Sequence, residues 1–435
     1  MLFFSITCFS CGMALADLFT HSIEGAAPYS VTLNAQVWIS PTGSRNDVTD
    51  DPLKRRSEME ADAPERLAQG EAANWDIAAP LREADPDLWN STVAQWGQAT
   101  LYDALGADYA SMGKLLRENG KVSEEESTAL ASVESSGTMW MLAVSQVNDL
   151  RAMQGQEPLQ LADDQWALLN NFQAIDGLAK SYMELAPDLT VVGVPLHCSG
   201  ILADTQLEDS SMLSSGTILV VPDAVVETAR NMGLIPEVCY LNIDYADNGL
   251  SDEQNLNALV SILAKVQPAE EGGFANENGE AWAGRLWPVT SIQSQETMFV
   301  QARGLRLIVT YLALYIGFVF MVSTAAILAI QQLSNVADST GRYRTLDRLG
   351  CDRRRIYGSL LAQICVYFLV PLVLALCHSA YAIWVLRDTL FVMTYTPLEG
   401  PIASAAAFLM VIYGGYLAIT YFTSRNMVKG ALRQS

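Results

Sequence analysis

Histidine is almost absent from these 435 residues: His21, His197 and His378 are the whole supply, far apart in the chain. Cysteine is scarce too, seven residues; the one CxxC spacing, Cys8 and Cys11, falls inside the uncharged apolar run at the start, where Cys acts as a small hydrophobe, and no second pair follows, so no zinc or thiol-redox motif is expected. His197 stands beside Cys198, but no further ligand follows at a metal-site spacing. There is no GxxxxGK[ST]; Gly113-Lys114 lacks the preceding glycine, so the chain has no P-loop with which to hold ATP. HExxH and GxSxG are missing as well. No cofactor, metal or catalytic constellation is therefore expected. Charge is thin at 17% of residues, and no Lys or Arg precedes Arg45.

What charge there is divides unevenly. Residues 305–435 carry 11 Lys and Arg against 5 Asp and Glu, a net +6. Of the chain's −22, residues 1–304 therefore hold −28. An acidic block of that size repels nucleic acid. It suits either solubility or the capture of cationic ligands, and both readings stay open. The length exceeds one ordinary domain, and the apolar residues are concentrated in runs. Leu307–Val336 has no charged residue, Ile356–Leu386 has none apart from the titratable His378, and Pro401–Ser424 is a third uncharged run. Each is long enough to cross a hydrocarbon core of about 30 Å. Met1–Ala16 is apolar and, with Leu18 and Phe19, barely reaches spanning length. Ala14-Leu15-Ala16 would fit a signal cleavage site, but the basic region that signals carry is missing, so a first membrane helix is the preferred reading. So abrupt a start suggests the C-terminal part of a longer protein. Basic loops lie inside, which puts the 331–356 loop and the C-terminus in the cytoplasm and residues 17–304 and 387–400 outside.

The expected fold class is an α-helical membrane protein with four transmembrane helices and a large extracytoplasmic α/β domain inserted after the first. Residues 1–20 form the first helix and 21–304 the external domain, with 41–90 partly flexible or a helical insertion. The other helices cover about 307–334, 356–385 and 402–424, with a cytoplasmic loop at 335–355. In the external domain, 28–40 alternates as a strand leaving the membrane. Thr138–Ser145 reads as a strand followed by a helix capped by Ser145, and Gly216–Val221 opens a similar strand–helix unit. Thr190–His197 and Glu237–Tyr245 read as further strands, and Asp252–Val266 as a helix. Cys198 and Cys239 fall on two of these strands; they either form a disulfide or stay two separate thiols. In the last span Gly414, Gly415 and Ala418 favour close helix packing, within the chain or with a second copy. His378 reads as a ligand or protonation site, or as a polar packing residue.

The stretch Gln331–Gln363 gathers six arginines between two apolar runs. Tyr343, Leu346 and Leu349 recur at three-residue spacing on one helix face. Leu349-Gly350 reads as a helix end with Gly at C′, and Asp352 as the N-cap of the next helix. Basic residues at this place often only neutralise lipid headgroups. A capped helix with an apolar stripe goes further, because it offers a face to a partner.

Here the residues carry a resemblance. The run RYRTLDRLG, followed by Arg353-Arg354, Gln363, Phe368, Pro371 and His378, resembles the FtsX-like permease domain of ABC transporters, a superfamily that includes MacB-type and bacitracin-resistance permeases. The resemblance spans about 305–430. It implies a permease subunit of the mechanotransmission type, with no substrate passing through a central pore, paired with a separate cytoplasmic ATPase. Arg342, Tyr343, Leu346, Leu349, Gly350, Arg353 and Arg354 would then be the element the ATPase pushes. Membrane lipid, a second permease copy or half, and a sensor kinase are the further partners this implies. The expected function is ATP-driven movement or expulsion of a peptide or lipid-linked substrate at the outer face, as in antimicrobial peptide resistance. The alternative is a non-transporting transmitter that regulates a cell-wall hydrolase or sensor kinase. A membrane-tethered enzyme has no motif to support it. Many bacitracin-type members have further helices upstream that this chain lacks, and its first helix is short. Both departures fit a fragment or a divergent short form.

Overall fold

A computed structural model of the protein describes residues 26–37, 51–62, 64–134, 137–170, 175–210, 217–266, 274–275, 281–282, 289–391 and 399–433. The expected first span, residues 1–20, lies outside them. The chain divides into two units, one of Ser22–Gln301 with Val392–Thr394, the other of Met1–His21, Ala302–Phe391 and Tyr395–Ser435.

In the first unit, β1 (Val31–Gln36) is followed by four helices, α1 (Pro52–Asp62), α2 (Pro64–Ala72), α3 (Ala78–Ala84) and α4 (Pro86–Thr92). The long β2 (Val93–Asp108) leads to α5 (Tyr109–Glu118) and α6 (Glu124–Glu134), then β3 (Thr138–Ala143), α7 (Val144–Met153), β4 (Gln165–Leu169) and α8 (Asp176–Leu185). Next come β5 (Asp188–Val191), β6 (Val194–Ala203), β7 (Ile218–Val221), α9 (Asp223–Asn231), β8 (Val238–Tyr245) and α10 (Asp252–Val266). The short β9 (Phe274–Ala275) and β10 (Ala281–Trp282) form a separate hairpin, and β11 (Val289–Ser294) closes the unit.

Nine strands make one mixed sheet in the order β11-β1-β8-β2-β3-β7-β4-β6-β5. The two strand–helix units seen in the sequence, β3–α7 and β7–α9, place their strands side by side and parallel, with Trp140 opposite Ile218. Alternation in β1 sends Val31, Leu33 and Ala35 into a core that also holds Met59, Leu67, Trp75, Leu81 and Trp89. Residues 51–92 are therefore a helical layer over the sheet, of the two readings the helical insertion. β2 serves two partners. Its first half pairs with β8 and its second with β3, and the register shifts between Asp103 and Asp108. Gly106 sits in that irregularity at φ +101, and a Cβ there would meet the Thr190 carbonyl oxygen at 2.4 Å. Only glycine fits so close a backbone approach.

Two local expectations need correction. Thr190–His197 is not one strand: the chain turns at Val192-Gly193, both at positive φ, and β5 folds back on β6 at the sheet edge. Ser145 does not cap α7, whose N-cap is Ala143 with no side-chain bond. The Ser145 N–H instead donates to Asp223 Oδ1 at 3.2 Å, a carboxylate from the neighbouring strand–helix unit.

In the second unit three helices dominate. α11 (Gln295–Arg348) begins directly after β11 and runs for 54 residues. α12 (Arg353–Phe391) passes through Pro371, and α13 (Glu399–Arg433) closes the described chain. Leu307–Arg348 and Arg353–Ala382 are long and apolar enough to cross a membrane. Each helix has one buried stripe at helical spacing. Met321, Val336 and Tyr343 on α11 join Ile356, Leu360, Ile364 and Phe368 on α12 and Tyr413, Val428 and Leu432 on α13 in a single core. Pairs across the core fix the directions. Tyr413 packs on Phe368 with ring centres 5.5 Å apart, and Arg425 covers Tyr357 at 5.1 Å, so α12 and α13 are antiparallel.

Candidate functional site

The loop singled out in the sequence is a four-residue turn between two long helices, not a loop with a separate helix of its own. α11 continues without a break from the apolar run to Arg348, so Arg342–Arg348 is its last two turns. The end is a Schellman motif. Cys351 N–H donates to Leu346 O and Gly350 N–H to Asp347 O, each at 3.0 Å. Gly350 holds φ +80, which L side chains rarely adopt. Asp352 then opens α12, its Oδ1 accepting from Arg354 N–H at 3.1 Å.

The apolar stripe divides in function along its length. Tyr343 is 6% exposed and turned into the helical core, where its hydroxyl and Gln363 Oε1 lie 3.2 Å apart. It is a packing residue and offers no outer face. Leu346 is 41% exposed and Leu349, at the tip of the turn, 78%. The arginines divide as well. Arg344 Nε donates to the Ala431 carbonyl at 3.2 Å, covering a carbonyl in the last turn of α13. Arg353 Nε lies 3.3 Å from Asp347 Oδ1, across the turn. Arg342, Arg348, Arg354 and Arg355 are exposed. Arg353, Arg354 and Arg355 occupy the first positions of α12, where the helix dipole favours acids. The tip is thus an apolar knob ringed by positive charge. Sequence reasoning found the cap and the knob, but missed that Arg344 ties α13 down, because that bond spans 87 residues.

The remaining candidates fall elsewhere. Gly414 and Gly415 are exposed, and a Cβ on either would meet nothing within 4 Å. Ala418 is half-buried. The two glycines do not draw the described helices of this chain together. Cys198 on β6 and Cys239 on β8 are both free thiols. Strands β2, β3, β7 and β4 separate theirs, a span of roughly 24 Å at about 4.8 Å per strand. That is far beyond disulfide reach. His197 Nδ1 pairs with Asp188 across the exposed β5–β6 hairpin, which raises its pKa. Among the described residues no group of three His, Cys, Asp or Glu could hold a metal.

The sheet unit has one buried polar network that the sequence did not mark. The segment after β6 lies against the start of β1. Asp209 Oδ1 accepts from Tyr29 N–H at 3.0 Å, and Asp209 N–H donates to Thr32 Oγ1 at 2.9 Å. Thr32 in turn donates to Asn242 Oδ1 at 2.7 Å, and Asn242 Nδ2 to Leu207 O at 2.8 Å. Thr32, Asp209 and Asn242 are fully buried. Burial pushes the Asp209 carboxyl up to about 8, opposed by the bond it accepts from the Tyr29 N–H. Burial raises Glu208 to about 7. Beside this network, Gln295 N–H donates to Ser30 O at 3.1 Å, so β1 begins where α11 does.

Comparison with known proteins bears on the helical unit. Residues 314–429 match the model of the FtsX-like permease C-terminal domain, a stretch that includes the whole Schellman turn. The chain is also similar to the ABC transporter permease protein YxdM of Bacillus subtilis (strain 168), 29% identical over 229 residues. The similar stretch is 52% of this chain and 32% of that relative, so it spans about a third of the relative's length. The helical unit, with its two membrane-length helices joined by a basic, capped turn, is thus similar to the FtsX-like permease C-terminal domain, and the chain to an ABC transporter permease.

Proposed function

We propose that this chain is the permease subunit of an ATP-driven transporter of the mechanotransmission type, embedded in a bacterial plasma membrane. In this reading a separate cytoplasmic ATPase supplies the hydrolysis. The sheet unit faces outward and acts on a peptide or lipid-linked substrate, and a second permease copy or half completes the assembly. One observation carries the proposal: Leu349 and Leu346 are exposed at a rigid, capped turn between two apolar helices. Lipid does not require apolar residues at the membrane–water boundary to sit inside a ring of arginines; a protein partner with an apolar pocket and acidic rim does. Chain order supports transmission, since the helix that follows β11 in sequence, α11, is the one whose last turns carry the knob.

The test is the double substitution Leu346→Asp, Leu349→Asp in the full chain, expressed with its ATPase. The chain should insert and fold normally. The complex should lose most of its transport-linked ATP hydrolysis, or fail to co-purify. Full co-purification and function would sink the coupling role. Deleting the gene separates the two functions weighed from the sequence. Loss of tolerance to cationic peptides supports transport. Unchanged tolerance with altered cell-wall cleavage supports the signal transmitter.

A further inference from the structure

Hydroxyls on α11 find a partner in a simple way. Ser323 donates to Val319 O at 2.8 Å, Thr324 to Phe320 O at 2.7 Å, Thr340 to Val336 O at 2.9 Å and Thr345 to Gly341 O at 3.1 Å. Each bonds the carbonyl one turn back, the default in a medium without water. Ser424 on α13 is fully buried, and its Oγ bonds nothing. Gln332 on α11 is 1% exposed, and both Oε1 and Nε2 lack a partner. Three orphaned polar atoms in one membrane bundle are costly to keep.

The register shows where these groups lie. α11 and α12 form a hairpin and α12 and α13 are antiparallel, so α11 and α13 run the same way. Arg344 bonds the Ala431 carbonyl. Twelve residues earlier on each helix stand Gln332 and Ile419, next to Thr420, which is 4% exposed. Ser424 follows one turn later. Gln332 shares its buried stripe with Met321 and Val336, and Ser424 shares that of Tyr413 and Val428, stripes that meet in one core. The register therefore sets Gln332 level with two hydroxyls spaced one turn apart, and its amide bonds neither.

We propose that Gln332, Thr420 and Ser424 form a hydrogen-bonding ladder that is open in this conformation and closed in a second one, reached when α11 moves along α13 by up to one turn. Closure gives the amide a hydroxyl at either rung, so the bundle has discrete stops where an all-apolar seam would slide freely. The open state carries orphaned groups and is correspondingly easy to leave.

The test uses the full chain in membrane vesicles with its native cysteines replaced by serine. Gln332→Cys is paired with Thr420→Cys or with Ser424→Cys, and the chain is oxidised with copper phenanthroline. Free thiols are then counted with a maleimide-linked polymer. Either pair should lose both labels in most of the chain. The control Gln332→Cys with Ile419→Cys, whose second side chain is 64% exposed, should keep them. Failure of both pairs overturns the proposal. A second measurement needs no cysteine replacement. Gln332→Leu in the otherwise native chain should leave the melting temperature unchanged or raise it. A fall of several degrees would mean that the amide already has a partner, and the ladder would be wrong.

Discussion

The two units of this chain treat the same side chains in opposite ways. In the sheet unit, Leu33, Leu101, Met139 and Trp166 are wholly buried, and few large apolar residues reach the surface. In the helical unit, Leu307, Tyr311, Val370, Leu374 and Val411 are each more than half exposed. A helix that is apolar nearly all round is stable only in an apolar solvent. The sheet unit is organised by water and the helical unit by lipid. What holds the helices together is not apolar burial as such but a narrow stripe of shape-matched contacts. The buried polar groups differ in step. The network of Thr32, Asn242 and Asp209 is stitched by four hydrogen bonds, with one Asp209 oxygen unpaired, whereas the side chains of Gln332 and Ser424 bond nothing.

The largest effect that sharpens this comparison comes from truncating a leucine in each unit. Leu33→Ala removes a wholly buried side chain beneath the helical layer and should destabilise the sheet unit by about 2–5 kcal/mol. Leu374→Ala removes one that is 60% exposed on α12 and should change stability by no more than about 0.5 kcal/mol. Denaturant titration of the full chain in detergent, followed by tryptophan fluorescence, measures both. Equal costs would mean that α12 is packed against protein on its outer face, and the contrast between the units would fail.

The next effect in size is on pH. Asp209 ionises at 3.8 in an unfolded chain and at about 8 in the fold. Its folded pKa is raised, so its penalty is absent below pH 3.8, grows as pH rises through that interval, and is complete above about 8. Glu208, raised to about 7, adds in the same sense. The sheet unit should therefore lose stability between pH 4 and 8, by up to a few kcal/mol. Asp209→Asn keeps an acceptor for Tyr29 N–H and cannot ionise, so it should flatten most of that slope. A variant whose slope matches the parent's would show that Asp209 stays ionised in the fold.

How much of this was legible in the sequence follows the same division. The two membrane-length helices that flank the turn, the turn at Gly350 and the Asp352 cap depend on neighbours within a few residues, so charge runs and a single glycine suffice to read them. β8 and α10 were legible for that reason too, each a short periodic run with clear stops. β2 was not, because its sixteen residues serve two partners and its pattern changes halfway. The β5–β6 turn hid behind Val192, a β-branched residue at φ +53 where a glycine would have signalled it. The Tyr343 error has a physical origin as well. Spacing places Tyr343, Leu346 and Leu349 on one face, but three-residue steps drift around a helix of 3.6 residues per turn. Six residues on, the stripe has rotated from the core to the surface. Arg344 to Ala431 and Asp209 to Tyr29 join residues 87 and 180 apart in sequence, and no local pattern announces either.

The smallest effect concerns glycine, and it separates two reasons for needing one. Gly106 in the sheet unit and Gly350 in the helical unit both hold positive φ, at +101 and +80. A Cβ at Gly106 would strike the Thr190 carbonyl, whereas one at Gly350 meets nothing within 4 Å. Gly106→Ala combines conformational strain with a backbone clash and should shift β5 away from β2. Gly350→Ala carries the conformational term alone, about 1–2 kcal/mol. Its cost should be local: the Gly350 and Cys351 amides, which close the Schellman motif, should exchange faster with solvent while Tyr343 and the core keep their protection. Hydrogen exchange on the full chain reads both variants at once. If Gly350→Ala leaves those two amides as slow as before, the turn is held by its flanking helices rather than by its own geometry. The knob at Leu346 and Leu349 would then be set by packing, as the sheet unit is, and this part of the contrast between the two units would have to be given up.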